Sequence, residues 1–434
     1  MNDRPVTKGR RLFRLASMTA RVAGGYAKSR IKSVFQNDED AERDRSATHT
    51  RSGEIIAKTL GELKGAVMKV GQMASIARDI LPKEMAEALG SLQREAPPMP
   101  YEVIAEQVER ELGSPPEALF ARFDRVPFAA ASIGQVHRAR TDDGREVVVK
   151  VQYPGVDDAV DSDLSSLRLA LRASGLIKLK RQALDALFAE LRTRLHEELD
   201  YCNEADNVRF FADYYRDNPE VVVPDVVGER SSQRVLTLTY EPGDHIDETD
   251  SYPQQLRDRL GANVFRTMCD QIFELQVIHA DPNPANFAFR EDGTLVFYDF
   301  GCVKRLRPEV IAAYRKTIAS GLDEDYDGVE RGLVELGARN LEGPVVPPEY
   351  YKMWRDILTE PFVAVGDYDY GRADIHHRAL EHIPGFLMKY IGSFQPPAEL
   401  VFLDRVVVGH YGTMRRLRAR GHFGDVLRSH LVSA

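Results

Sequence analysis

The segment from His279 to Gly301 carries side chains suited to phosphoryl transfer. It begins His-Ala-Asp-Pro-Asn-Pro-Ala-Asn and ends, after a short apolar run, with Asp299-Phe-Gly. Phosphoryl transfer needs oxygen ligands that hold Mg²⁺ on the phosphates and a carboxylate that orients the attacking hydroxyl or water. We therefore predict that Asp281 is the orienting base and that Asn286 and Asp299 are metal ligands. A polar loop with coincidental acids is the alternative.

The residues around these side chains also fit such a site. Pro282 and Pro284 disfavour a helix, so the loop is stiffened, and Gly301 permits a sharp backbone turn. We interpret His279 as a structural hydrogen-bonding residue rather than a metal ligand.

A lysine and a group of acids upstream would complete the site. Lys150 ends the run Val-Val-Val-Lys, and a lysine on a buried strand is costly unless it is paired. We expect it to reach nucleotide phosphates and a helix carboxylate; a solvent-exposed edge-strand lysine is the alternative. One predicted helix carries four closely spaced acids, Glu197, Glu198, Asp200 and Glu204. Glu204 is the expected partner, and a solvated acidic face is the other interpretation.

The loop before Lys150 departs from the glycine-rich loop that covers the phosphates in ordinary kinases. Residues 128–136 read Phe-Ala-Ala-Ala-Ser-Ile-Gly-Gln-Val, so only Gly134 matches that pattern. Alanine restricts the backbone more than glycine does, and the phosphates must be held differently. We expect ATP to bind beneath four residues of this loop, Ala129, Ala130, Ala131 and Ser132.

Periodicity predicts the elements that must position these residues. Alternating residues with Asp-Gly between them indicate a β-hairpin over 136–151. Further strands are predicted at 221–226, 233–241 and 295–300. Apolar residues at helical spacing predict a helix at 54–81, and further helices are predicted at 102–112, 156–175, 182–216 and 252–278. The chain beyond residue 307 reads as mostly helical, with loops at 341–348 and 361–374.

Length and composition fit a globular protein of several packed parts. The chain has 434 residues, of which 43% are hydrophobic and 29% charged. Three widely spaced cysteines favour a reducing compartment over a structural zinc site, and the lack of a long apolar run predicts no transmembrane helix. We divide the chain into a basic segment with a charged linker, a helical extension, a small strand-rich lobe and a helical lobe, at 1–52, 53–115, 116–241 and 242–434.

The first 36 residues contain nine basic residues and one acid. Apolar residues lie among them at helical spacing, namely Leu12, Leu15, Met18 and Val22. This segment fits a helix on an anionic membrane surface or a mitochondrial transit peptide. A disordered basic tail is the third interpretation.

Together the motifs resemble the UbiB family of atypical kinase-like proteins, also called AarF-like or ADCK-like. The similarity runs from about residue 55 to 420. It includes Lys-x-Gly-Gln at Lys69–Gln72, the alanine-rich loop, Lys-Val-Gln-Tyr-Pro-Gly-Val from Lys150, Glu-x-Asp at Glu198–Asp200 and the two motifs of the helical lobe. Lys-x-Gly-Gln and the alanine-rich loop are specific, because neither belongs to ordinary protein kinases.

The resemblance implies an α+β, bilobal, protein-kinase-like fold whose N-terminal helical extension packs over the cleft. Lys69 and Gln72 of that extension would lie near Glu198 and Asp200, have a regulatory role and occlude protein substrates. The resemblance also implies Mg²⁺-dependent ATP binding, with ATP hydrolysis or phosphorylation of a non-protein target in ubiquinone or other prenyl-lipid biosynthesis.

The implied location is the cytoplasm, peripherally on the inner membrane, or the mitochondrion in a eukaryote. The implied partners are an anionic lipid surface and prenyl-lipid pathway proteins or intermediates, and no nucleic acid. Two other functions stay open. One is a small-molecule phosphotransferase of the antibiotic-kinase type, against which Lys-x-Gly-Gln argues, and the other is a catalytically idle, nucleotide-gated lipid-binding or scaffold protein.

Overall fold

A computed structural model describes residues 98–131, 133–157, 181–390 and 392–432, together with parts of 13–55 and 160–169. The described residues form helices and small sheets in two compact units. The first unit comprises Met1–Asp206 and Asp225–Tyr240, and the second comprises Asn207–Pro224 and Glu241–Ala434.

The strands are β1 (Arg122–Phe123), β2 (Ala129–Ala130), β3 (Gly134–Arg140), β4 (Glu146–Gln152), β5 (Val221–Val222), β6 (Val235–Thr239), β7 (Val277–His279), β8 (Phe287–Phe289), β9 (Leu295–Phe297), β10 (Val303–Arg305), β11 (Tyr368–Asp369) and β12 (Arg420–Gly421). The main helices are α1 (Tyr101–Leu112), α2 (Pro116–Leu119), α3 (Arg181–Glu198), α4 (Tyr201–Tyr215), α5 (Gln254–Cys269), α6 (Pro308–Leu322), α7 (Tyr326–Glu335), α8 (Pro348–Leu358), α9 (Glu360–Val363), α10 (Ile375–Tyr390), α11 (Ala398–Leu417) and α12 (Phe423–Val432).

An antiparallel sheet of β1, β2, β3, β4 and β6 forms the centre of the first unit. The predicted hairpin is confirmed: β3 and β4 pair antiparallel, and Gly144 in their turn has a φ of 89°. Alternate residues of β4 are fully buried on one face, namely Val147, Val149 and Val151. Successive strand side chains point to opposite faces, so Lys150 lies on the other face.

Gly134 is required by packing. A Cβ atom at this position would lie 2.3 Å from the carbonyl oxygen of Val151, a distance that no side chain can occupy. Gly134, the glycine of the alanine-rich segment, therefore allows β3 to lie close to β4.

The single helix predicted over 182–216 is wrong. Helix α3 ends at Glu198, and α4 begins at Tyr201. Asp200 separates them as an N-cap: its Oδ1 accepts a hydrogen bond from the Cys202 N–H at 3.0 Å, and its carbonyl accepts from the Glu204 N–H. An N-cap side chain satisfies a donor that the helix start leaves unpaired, so the break is stabilised locally.

In the second unit, β8 and β9 form an antiparallel hairpin, and β5 pairs with β9 in parallel. The prediction of one helix over 252–278 is wrong at its end. Helix α5 stops at Cys269, a π-helical turn covers Asp270–Glu274, and Val277–His279 is strand β7, which pairs with β10. Gln276 ends the turn with a left-handed φ of 54°, which reverses the chain direction without glycine.

The remainder of the second unit is mostly helical, as predicted. Helix α11 packs against α5. A smaller apolar cluster forms around α7, α8 and α10 from Val346, Tyr351 and Tyr390.

The N-terminal segment places two of its four spaced apolar residues in the core. Met18 and Val22 are fully buried, whereas Phe13 is 76% exposed. Met18 and Val22 therefore do not face solvent. The predicted helix over 54–81 lies almost wholly outside the described residues. No helix in the described part of the chain is long and apolar enough to cross a membrane.

Candidate active site

The structure brings Lys150 and Glu204 together as a buried ion pair within the first unit. The ammonium Nζ lies 2.9 Å from both carboxylate oxygens. The Lys150 side chain is 15% exposed and that of Glu204 4%. Nζ also lies 5.1 Å from the ring centroid of Tyr201. A desolvated charge pair is tolerated only with close geometry and further contacts of this kind.

Backbone pairing on both sides fixes Lys150. Strand β4 pairs with β3 and with β6, so Lys150 stands opposite Val136 and Leu236. It is therefore not an edge-strand lysine.

The α3–α4 junction is also tied to the sheet, because the Gln152 side chain donates to the Leu199 carbonyl at 2.8 Å and the Tyr201 N–H donates to the Gln233 carbonyl. These contacts orient the first turn of α4 so that Glu204 lies beside Lys150.

The other residues predicted in the first unit lie at distinct places. Glu198 is the last residue of α3, and Asp200 is the N-cap of α4. Because the helix breaks between them, these two acids and Glu204 do not share one continuous helical face. Ala129 and Ala130 form the exposed strand β2, with Ala131 directly after it. Three predicted residues lie outside the described residues: Ser132, Lys69 and Gln72.

In the second unit, both oxygens of the Asp281 carboxylate accept hydrogen bonds. Oδ1 accepts from Arg405 at 3.0 Å, and Oδ2 accepts from the Asn286 Nδ2 at 3.1 Å. The Asp281 side chain is 27% exposed. A carboxylate offers about four lone pairs, so its orientation is fixed while acceptor capacity remains.

Strand register brings Asn286 and Asp299 to one end of the β8–β9 hairpin. Phe287 pairs with Phe297, and the Tyr298 N–H donates to the Asn286 carbonyl at 3.0 Å. Asp299 follows directly. Its Oδ1 accepts from the Gly301 N–H at 2.9 Å, a local turn that orients the carboxylate.

His279 is a structural hydrogen-bonding residue. Its Nε2 hydrogen-bonds to the Asp299 carbonyl oxygen, so Nε2 carries the proton and the ring is a donor there. The ring is fully buried, and strand pairing between β7 and β10 holds it beside the Asp-Phe-Gly segment.

The donor set fits Mg²⁺. Asn286 directs its Nδ2 to the Asp281 carbonyl and carboxylate, so its Oδ1 could serve as an oxygen ligand together with the Asp299 carboxylate. Within the described part of the chain, no three His, Cys, Asp or Glu side chains group as a metal site. Mg²⁺ is usually held by one or two protein oxygens together with nucleotide phosphates, so the small set is appropriate.

Sequence reasoning missed Arg405, because it lies on α11 and is 124 positions from Asp281. The same helix approaches the loop again at Gly409, where a Cβ atom would lie 2.3 Å from the Pro282 ring. His410 packs edge-on against Phe287, and burial lowers its pKa to about 4. No motif marks these residues in the sequence.

Comparisons with known proteins show the family of the chain. Residues 91–333 match the ABC1 atypical kinase-like domain. The chain is 32% identical to "Atypical kinase COQ8, mitochondrial" of Saccharomyces cerevisiae, over 98% of this chain and 85% of the relative. It is 31% identical to "Atypical kinase COQ8B, mitochondrial" of Rattus norvegicus, over 93% of this chain and 74% of the relative.

A solved structure is also similar. The Mycobacterium tuberculosis protein Rv3197, in a complex with erythromycin, superposes with a TM-score of 0.64 at 29% identity, covering 90% of this chain and 97% of that one. The resemblance to UbiB proteins and the expected kinase-like α+β fold are thereby confirmed. On these findings, the chain belongs to the ABC1 atypical kinase-like family.

Proposed function

We propose that this chain binds Mg-ATP and either hydrolyses it or transfers its terminal phosphoryl group to a non-protein target in ubiquinone or other prenyl-lipid biosynthesis. The observation that carries the proposal is the buried Lys150–Glu204 pair. Replacing a buried ion pair by apolar residues is often neutral or stabilising, so stability alone does not explain its presence. A held, desolvated ammonium is suited to phosphate oxygens. The prenyl-lipid assignment rests on the resemblance to UbiB proteins.

Each residue would have a defined role. Lys150, held by Glu204, would contact the phosphates under Ala129, Ala130, Ala131 and Ser132. Asn286 and Asp299 would hold Mg²⁺, which neutralises charge on the phosphates when it is bound.

Asp281 would orient the incoming hydroxyl or water. Arg405 fixes the direction of that carboxylate. Through Lys69 and Gln72, the N-terminal extension would regulate access, together with Glu198 and Asp200.

A catalytically idle, nucleotide-gated protein is the second candidate. One observation favours it: both oxygens of Asp281 already accept hydrogen bonds, one from Arg405 and one from Asn286. In such a protein the same residues would bind nucleotide without turning it over.

Phosphate release and nucleotide binding, measured in parallel, separate the two candidates. We expect Asp281→Asn to lower phosphate release by about 100-fold, the lower range for loss of an acid–base group, while ATP binding persists. Asp299→Asn should weaken ATP binding in Mg²⁺ but not in EDTA. Asp292→Asn, in an exposed turn of the same unit, is the matched control. Unchanged phosphate release in Asp281→Asn would exclude the catalytic proposal, and ATP binding without turnover in wild type would favour the idle protein.

We also propose peripheral binding to an anionic membrane through the exposed basic face of the N-terminal segment. Truncation would remove the buried Met18 and Val22, so charge substitution is the cleaner test. Arg21 and Lys28 are both exposed, and each should contribute about 1 kcal/mol to binding vesicles rich in acidic lipid. Substitution of both by Gln should weaken vesicle sedimentation. Lys316→Gln with Arg372→Gln is the matched control, and equal binding by both double variants would refute the assignment.

A further inference from the structure

The π-helical turn Asp270–Glu274 lies directly before the strand that carries His279. The Leu275 N–H donates to the Asp270 carbonyl at 2.9 Å, five residues back. π-helical turns are rare and occur frequently at functional sites. This one inserts an extra residue between α5 and β7, and so changes the direction of the side chains that follow.

The inward side chain of the turn contacts the backbone beside the site. Gln271 is 1% exposed, and its Oε1 accepts a hydrogen bond from the His279 N–H at 2.9 Å. The His279 ring in turn donates to the Asp299 carbonyl. A continuous path of two hydrogen bonds therefore runs from Gln271 to the residue proposed as a metal ligand.

The outer side of the turn is fixed by two further elements. The Asp270 carboxylate lies 2.8 Å from the Nε2 of His430 on α12. Arg315 of α6 donates to the Phe273 carbonyl at 3.0 Å and also to the His430 carbonyl. Contacts with His430 and Arg315 therefore hold the outer side of the turn, and Gln271 on its inner side contacts the backbone of His279.

We infer that Gln271 is a positioning residue for Asp299, acting through His279, and that the π-helical turn exists to present it. The expected effect of Gln271 on metal affinity rests on the proposed function. Its expected effect on the position of the backbone at 279–301 does not. Contacts outside the ligand shell typically change metal affinity by about 10- to 100-fold. Because Gln271 acts through a second residue, we expect the lower value.

The first test uses the full-length protein without ligand. Gln271→Met keeps the length of the side chain but removes the acceptor, and Gln271→Glu keeps an acceptor oxygen. Hydrogen exchange should become faster at the His279 and Gly301 amides in Gln271→Met and remain close to wild type in Gln271→Glu. Should Gln271→Met fail to fold, Gln271→Asn, which keeps the amide on a shorter side chain, should show the same direction with a smaller change.

The second test measures Mn²⁺ binding by electron paramagnetic resonance with a non-hydrolysable ATP analogue. Gln271→Met should weaken Mn²⁺ affinity about tenfold. Asn263→Leu is the control, because Asn263 of the preceding helix α5 is also a buried carboxamide but contacts the Glu220 carbonyl and not His279.

The two tests fail in different ways. Unchanged exchange at Gly301 with unchanged Mn²⁺ affinity in Gln271→Met, despite lower stability, would show that Gln271 is only structural and overturn the inference. If wild type bound no Mn²⁺–nucleotide, the proposed function would fall, and exchange at Gly301 alone would decide whether Gln271 positions Asp299.

Discussion

Substituting Glu204 by Gln should strongly destabilise the first unit, because the buried Lys150 ammonium then loses the carboxylate charge that lies 2.9 Å from it. At 2.9 Å and an effective dielectric constant of about 20, the lost attraction is about 6 kcal/mol before solvation is counted. Removing one partner of a buried pair typically costs about 3–5 kcal/mol. The Gln carbonyl still accepts one hydrogen bond, so we expect about 3 kcal/mol.

Urea denaturation followed by circular dichroism measures this loss. The single tryptophan, Trp354, lies in the second unit, so its fluorescence reports that unit separately. Hydrogen exchange over β4 should locate the change in the first unit.

A double-mutant cycle and a matched exposed pair test the physical reason. Lys150→Met combined with Glu204→Gln also removes the buried ammonium that has lost the Glu204 carboxylate, so the double variant should be more stable than Glu204→Gln alone. The exposed pair Lys352–Asp356 has the same 2.9 Å separation, yet Asp356→Asn should cost less than about 0.5 kcal/mol. Equal losses in Glu204→Gln and Asp356→Asn, or additive effects in the cycle, would refute the reasoning.

Four further predictions follow from single contacts. Asp200→Ala should lower stability by about 1 kcal/mol through loss of the α4 cap, measured by urea denaturation, with Asp200→Asn retaining most of it. Arg405→Gln should reduce phosphate release more than ATP binding, since it removes one of the two hydrogen bonds that orient the Asp281 carboxylate. Gly134→Ala should separate β3 from β4 and prevent folding of the first unit at 37 °C, seen as loss of soluble protein. His410 has a pKa of about 4 in the folded chain against about 6.5 unfolded, so the unfolded state binds the proton first. The second unit should therefore lose roughly 3 kcal/mol between pH 6.5 and 4, and a His410→Phe variant should lack that part of the acid sensitivity.

Short sequence patterns correctly predicted the elements that depend on neighbouring residues alone. The β3–β4 hairpin follows from period-two alternation and Asp-Gly, and α1 from its periodicity and the prolines before it. The break at Asp200 was missed because helical periodicity continues across it and only a cap marks it. An Asp within a predicted helix, a residue type favoured at N-caps, was the available signal.

Long-range contacts were beyond prediction from the residues alone. Strand β7 looks like the end of α5 because Val277 and Ile278 continue an apolar stripe, and only pairing with β10 makes it a strand. Arg405 contacts Asp281 across 124 positions, and no spacing rule connects them. The orienting base and the metal ligands could be proposed from the sequence, because phosphoryl transfer requires these residue types within short, recognisable motifs. They are Asp281, Asn286 and Asp299.

Gly409 determines how closely α11 approaches the loop at Pro282 in the second unit. A methyl group there would overlap the ring of Pro282, so the backbone of α11 packs directly against that ring. A ranking of positions by solvent exposure would class this partly buried glycine as tolerant of substitution. We expect the opposite: every substitution of Gly409 should be selected against as strongly as a substitution in the core. Substitutions should be tolerated only when Pro282 is replaced by a smaller residue in the same variant.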